Sequence, residues 1–563
     1  MADLAFLWHM HQPDYRHPDS GEFLLPWVLL HTIKDYTDMA AHLELHPGVR
    51  CTVNFVPVLL DQIEDYVEQF KSGQWRDPLL RIAAAPDFSP DHCLLPLDQS
   101  EWLLDMAFRC HAPTMLEPFA GYRNLRDHLG FVRAQNGHSL NYLAATYYTD
   151  LATWYLLAWT GESLRRSGRI IPQLMAKGGN FTAAERQALL AELGEAVSGV
   201  IGRYRALAER GQIELSSTPA KHPLAPLLLD FACAREALPD CPLPAAPNYP
   251  GGRTRVAAHL ADAQTSHARR FGQPAAGLWP AEGALSTEFL KQVAAAGFQW
   301  TASSRGVLRN SVGEAARTTT PWLPPEGVAQ GTPDDILLFF RDERLSDLIG
   351  FEYAKWHGRD AARHFMGELK AIERKDPNSL IPVFLDGENA WEYYPYNAWY
   401  FFADLYGELE ETPEIRTVTL SQAAAARRQS APRLPRLVAG SWVYGSLSTW
   451  VGHPAKNRAW ELLCELKLSA DRALVSKRLS AAAEAEVGRR LAICESSDWF
   501  WWLGDDNPPQ SVAAFDQLFR HNLSALYHLL ELPPPAALDH SLSSGGGSDA
   551  ESGGTMRRAT ETR

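Results

Sequence analysis

Cysteine is scarce in this chain and carries no pattern. Its seven cysteines (Cys51, Cys93, Cys110, Cys233, Cys241, Cys464 and Cys494) are odd in number, scattered over 563 residues and form no CxxC pair, which excludes a local thiolate zinc site and suits a reducing compartment. Positive charge is also short: 53 Lys and Arg against 67 Asp and Glu leave a net charge of −14. A chain without a basic face cannot release the counterions that drive binding to nucleic acid. No apolar run approaches the roughly 18 residues of a membrane span. The apolar stretch at the N-terminus lacks a basic leader, carries Asp3 at its start and meets Pro13 soon after, so it reads as a buried strand and not as a secretion signal. These absences point to a cytoplasmic protein with neither nucleic acid nor membrane as partner.

Aromatic residues are abundant: 18 Trp, 18 Tyr and 23 Phe, densest in "WEYYPYNAW" (391–399) and "WFWW" (499–502). Large rings fill cores. They also stack on the apolar faces of sugar rings, and clusters flanked by Asp and Glu suit a carbohydrate site.

Strand patterns occur at 4–10, 50–56, 213–217, 277–280, 298–303, 336–341, 380–385 and 417–420, most apolar on both faces as in a helix-covered parallel sheet. Helical stretches alternate with them. Thr182 and Glu185 form a capping box, and Gly211 stands where that helix ends. The alternation predicts an α/β fold, a (β/α)7 barrel with long helical insertions between the early strands, over residues 1–430. Strand signals stop near Pro454, and helices at 456–468, 476–494 and 510–530 predict a C-terminal helical domain (431–535) that completes the cleft. The segment 541–563, rich in Gly and Ser, reads as a disordered tail.

Chemistry in such a barrel sits where strands end. In "FLWHMHQPDY" the two-residue period places His9 and His11 on one face at the exit of the first strand. "GQIE" supplies Glu214, "GLWPAEG" supplies Glu282 beside Trp279, and "VFLDGENAWEYY" places Asp386 and Glu388 after a strongly apolar strand. Buried strands seldom end in acids that nothing uses.

The ordered set HQP, GQIE, Trp-Pro closing on Glu, and DGEN followed by aromatics resembles the motifs of glycoside hydrolase family 57, over roughly residues 1–530, with the α-amylase and amylopullulanase-like members most similar. "LPWVLLHTIKDY", "FFRDERLSDLIGFEY", "SWVYGSLSTWVGHPAKNRAW" and "SSDWFWWLGDD" agree with it. The resemblance implies an enzyme that cleaves α-1,4 and in some members α-1,6 bonds of an α-glucan or malto-oligosaccharide with retention and without a cofactor. It implies Glu282 as nucleophile and Asp386 as general acid/base. His11, Glu214 and Glu388 would line the subsite where the bond is cut; His222 and the rings of Trp279, Trp391, Trp442, Trp450 and Trp499 are expected to bind substrate, and Arg341 and Asp347 either hold sugar hydroxyls or form a structural ion pair at the barrel rim. The same two acids serve a hydrolase, a 4-α-glucanotransferase and a branching enzyme.

Two departures stand out. The segment before Glu282 reads Trp279-Pro280-Ala281 where relatives often have Trp-x-Pro, and Ala220-Lys221 replaces aromatic residues. Two rivals remain: a zinc-dependent mannosidase-like hydrolase using His9 and His11, whose further ligand candidates, His222, His357 and His453, stand in segments that suit sugar contacts equally well, and a non-catalytic glucan-binding protein, which needs neither Glu282 nor Asp386. Of the clustered rings 499–502, one of Trp499, Trp501 and Trp502 is expected to reach the cleft.

Overall fold

The computed structural model describes residues 1–86, 97–135, 140, 143–328, 335–477, 479–547 and 555–558. Eight parallel strands make one sheet: β1 (Ala2–Met10), β2 (Cys51–Phe55), β3 (Ile213–Ser217), β4 (Gly277–Leu278), β5 (Trp300–Ser304), β6 (Leu337–Arg341), β7 (Leu380–Asp386) and β8 (Ile415–Thr417). Seven run in the order β6-β5-β4-β3-β2-β1-β7, and the short β8 pairs with the first residues of β1. The sheet curls into an incomplete (β/α)7 barrel. Its ends, β6 and β7, meet through the Asp342 N–H, which donates to the Pro382 carbonyl at 2.7 Å. Below that point residues 319–322 fill the gap, bonded to Leu338 on one side and Leu380 on the other. All eight strands expected from the sequence are present. The last is shifted: Thr419, expected in the strand, instead caps the helix Leu420–Arg427.

Strand alternation sorts the side chains. Phe6, Trp8 and Met10 of β1 face the surrounding helices and join the large core, whereas Ala5 and Leu7 face the lumen with Trp300, Ala302, Leu337, Phe339 and Phe384. His9 continues the lumen row one layer higher, paired in register with Asn54 of β2 and Asp386 of β7. The lumen is therefore solid up to this layer, and polar groups begin at its C-terminal rim. The capping box expected at Thr182 and Glu185 opens the 27-residue helix Ala183–Glu209.

After Pro454 the described chain is helical: Pro454–Val475, Ala481–Cys494, Ser497–Trp502 and Pro509–Leu529. Glu495, fully buried, fastens these helices to the barrel side. It accepts from the guanidinium of Arg255 (2.8–3.1 Å) and the hydroxyl of Tyr249 (2.6 Å), and pairs with His259 (2.8 Å). These partners hold the Glu495 carboxyl at about 2 although burial opposes ionisation. Of the segment read as a tail, residues 548–554 and 559–563 lie outside the described residues. Ser543 bonds the Gly504 N–H, and the Arg557 guanidinium lies 4.7 Å over the Trp501 ring. Among the described residues no helix is long and apolar enough to cross a membrane.

Candidate active site

A cleft of about 1060 Å³ opens at the C-terminal rim of the barrel. Eight of the expected residues line it: His11, His222, Glu282, Arg341, Asp347, Asp386, Glu388 and Trp442. Glu282 follows β4 in a tight turn. Proline sets Pro280 at φ −65°, and Glu282 itself takes a left-handed conformation (φ 59°, ψ 22°). A non-glycine residue held there stores strain, as functional residues often do. His222, at φ 56°, is a second case beside it.

Three donors fix the nucleophile candidate. Its carboxylate accepts from the Trp442 indole N–H (3.2 Å) and the Ser497 hydroxyl (2.9 Å), and its carbonyl accepts from the Trp442 backbone. Asp386 ends β7 and accepts from Asn389 at 2.9 Å. The turn after it is tight because Met10 lies against Gly387, where a Cβ would fall 2.2 Å from the sulfur. Burial raises both carboxyls: Glu282 to about 8, with the negative Asp498 adding to it, and Asp386 to about 6, with Asn389, His11 and Arg341 opposing. Burial and then Asp386 also raise Glu388.

Histidines form one wall. His9 lies behind, its Nδ1 2.7 Å from Asn54, and burial holds it at about 3. His11 and His222 stack face to face, centroids 3.7 Å apart. The His11 Nε2 meets both Asp498 oxygens at 3.0 Å, and its backbone N–H donates to Glu388. Donor atoms of His11, His222 and Asp498 lie within 4.8 Å of one another, a spacing a metal could use. The rings, however, are only 17° from parallel, so their in-plane lone pairs run side by side and do not converge on one ion. Arg341 pairs with Asp347 (3.1 Å) and lies 5.4 Å over the Trp442 ring. Four buried polar atoms around this floor have no hydrogen-bond partner among the described residues: His11 Nδ1, His222 Nε2, Glu388 Oε2 and Arg341 Nε.

Five expected residues are not brought into the cleft. Glu214 is the correction of most consequence. It sits at the second position of β3, in register with Thr52, one layer below His9, and its carboxylate is taken by Ser421 (2.6 and 2.8 Å) and the Trp300 indole (2.8 Å). Trp279 lies under the floor, edge-on to Trp442 at 5.1 Å. Trp391 props the 387–390 turn, donating to the Gly387 carbonyl. Trp450 backs Trp501 at 5.9 Å, and Trp499 is sealed against Phe519. Besides Trp442, the tryptophans that line the cleft are Trp27, Trp159, Trp501 and Trp502, with Tyr393 also in the lining. Lys221, where an aromatic was missed, pairs with Asp61. Asp498 is marked in the sequence as an acid flanking the aromatic run 499–502, whereas Ser497 carries no signal of its own beyond standing next to it.

The profile of the family described as Glycosyl hydrolase family 57 matches residues 5–435, most of the chain. The chain belongs to that family. As a family 57 member it is an enzyme of the glycoside hydrolase or transglycosylase kind. Among solved structures it is similar to a GH57 branching enzyme from Thermococcus kodakaraensis (14% identity, 94% of this chain and 90% of that one, TM-score 0.59). It is also similar to the alpha-amylase AmyC from Thermotoga maritima (12%, 94% and 93%, 0.55) and a 4-alpha-glucanotransferase from Thermococcus litoralis (14%, 94% and 60%, 0.50). At these identities the likeness is one of fold. No curated protein sequence matches the chain.

Proposed function

We propose that this family 57 enzyme acts on α-glucans with retention of configuration, Glu282 attacking the anomeric carbon and Asp386 first giving a proton to the leaving oxygen and then taking one from the acceptor. The observation that carries this reading is the pairing of the two carboxyls in one cleft whose floor holds four buried polar atoms without partners. Buried polar groups are almost always satisfied, so a floor of this kind fits a ligand rich in hydroxyls. The solved relatives, a branching enzyme, an alpha-amylase and a 4-alpha-glucanotransferase, support an α-glucan as that ligand.

Proton bookkeeping follows from the two carboxyls. Between about 6 and 8 the pair holds one proton. In the empty cleft that proton rests mostly on Glu282, whereas the reactive form has it on Asp386. Positive charge developing on the sugar in the transition state favours an ionised Glu282. The donors Trp442 and Ser497 act in the same direction.

Transfer to a sugar is favoured as a second reading by the partly exposed rings of Trp27 and Tyr393 in the cleft lining, which offer stacking surface to an acceptor. Incubation with maltoheptaose, amylose and pullulan, with products resolved by size and linkage, separates the outcomes. Shorter chains alone mean hydrolysis, longer α-1,4 chains mean 4-α-transfer, and new α-1,6 linkages mean branching. No reaction on any of the three contradicts the proposal.

A further inference from the structure

Ser497 is fully buried, and its hydroxyl stands between two side chains of the cleft. It donates to Glu282 Oε1 at 2.9 Å, and the His222 Nδ1 lies 2.8 Å from the same oxygen. A hydroxyl has one proton. In the reactive form Glu282 is ionised and can only accept, so the Ser497 proton points at it and the His222 Nδ1 supplies the second hydrogen bond as a donor. Burial and the neighbouring His11 and His9 keep His222 neutral, so a protonated Nδ1 leaves Nε2 as a bare acceptor. That Nε2 is the buried atom without a partner, on a residue that lines the cleft.

The hydroxyl is held where it is by its own segment. The Ser497 N–H donates to the His222 carbonyl at 2.8 Å, Ser496 bridges Pro223, and Glu495 is locked by Arg255, His259 and Tyr249. Four residues in sequence from Glu495 to Asp498 therefore join the C-terminal helices to the nucleophile's turn.

We propose that Ser497 is a positioning residue: its hydroxyl orients Glu282 for attack, favours the ionised carboxylate, and fixes the His222 tautomer so that Nε2 accepts a sugar hydroxyl. This rests on Glu282 being the nucleophile. The charged and titratable groups around Glu282 are Asp498 and, through Ser497, His222; Asp386 on β7; Arg341 across the Trp442 ring; and His9, His11 and Glu388 on the same floor. A lost donor acts against this fixed background. It raises the Glu282 carboxyl, moves the alkaline limb of kcat/KM upward, and lowers the plateau about tenfold for each unit moved.

A 5-fluoro-α-glucosyl fluoride traps a glycosyl-enzyme, and peptide mapping of the wild-type adduct reports the residue labelled. Label on any residue but Glu282 defeats the reading of the site and this inference with it. With Glu282 labelled, the full-length variants Ser497→Ala and Ser497→Cys are compared with Ser497→Thr. Cysteine keeps the volume and is a poor donor, so it serves even where alanine does not fold. The expected result is trapping about 10- to 100-fold slower near neutral pH for Ala and Cys, with the alkaline limb displaced upward, and limbs at the wild-type position for Thr. Wild-type trapping rates and unmoved limbs in the Cys variant overturn the proposal, as does a Thr variant whose limbs move with those of Cys.

Discussion

Asp498 grips the Nε2 of His11 with both carboxylate oxygens at 3.0 Å, joining the exit of the first barrel strand to the C-terminal helices. The same carboxylate is the charge that adds most, after burial, to the raised Glu282 carboxyl. Removing it acts opposite to removing Ser497. Asp498→Asn lowers the Glu282 value, so the alkaline limb of kcat/KM moves down from about 8 toward the acid limb near 6. A pH profile on malto-oligosaccharides measures both limbs. An alkaline limb that stays in place or rises contradicts the electrostatic account.

Glu495 ties stability to pH. Its carboxyl is at about 2 in the fold against 4.5 in the unfolded chain, with His259 and Arg255 opposing the cost of burial. A depressed acid stabilises the fold fully above the unfolded value and loses that contribution as pH falls from 4.5 toward 2. The magnitude is about 3 kcal/mol for the shift of roughly 2.5 units. Glu495→Gln should therefore lower stability by ~3 kcal/mol at neutral pH and flatten the loss below pH 4.5. Chemical denaturation at several pH values reads both effects.

The tryptophans divide by what they touch. Trp499 is sealed in the core, and Trp499→Ala should cost ~3–5 kcal/mol with unchanged kinetics per folded molecule. Trp501 and Trp502 line the cleft. Alanine at either should raise KM for long glucans by a few-fold to about tenfold, the worth of one stacking contact. Melting curves beside initial-rate kinetics separate the two classes, and equal behaviour of all three variants would contradict the assignment.

The barrel was legible because its strands are apolar on both faces and separated by long helices, and the two-residue period of "LWHMH" fixed His9 and His11 on one side. Glu282, Asp386 and Glu388 could be placed because each stands at or within a few residues of the C-terminal end of its strand. Glu214 could not, since an inward side chain at the start of a strand and one at its end share the same period; only the register with Thr52 shows that it lies a layer too low. Trp391, Trp450 and Trp499 misled for a related reason. Composition marks a ring-rich segment but not which ring faces the cleft, and helix packing gave that place to Trp501 and Trp502. The Ser497 and Asp498 contacts join residues hundreds of positions apart from their partners, which no local pattern records.

A catalytic zinc at His11, His222 and Asp498 is set against the stacked rings. Exhaustive chelation should leave activity on α-glucans unchanged. Loss on chelation with recovery on added zinc would favour the metal-dependent alternative.

The central claim is that Glu282 is the attacking carboxylate, and Glu282→Gln tests it most directly. The substitution keeps shape and removes the charge, so turnover of maltoheptaose should fall by several orders of magnitude at an unchanged melting temperature. A correctly folded variant that retains more than about a tenth of wild-type turnover would contradict it.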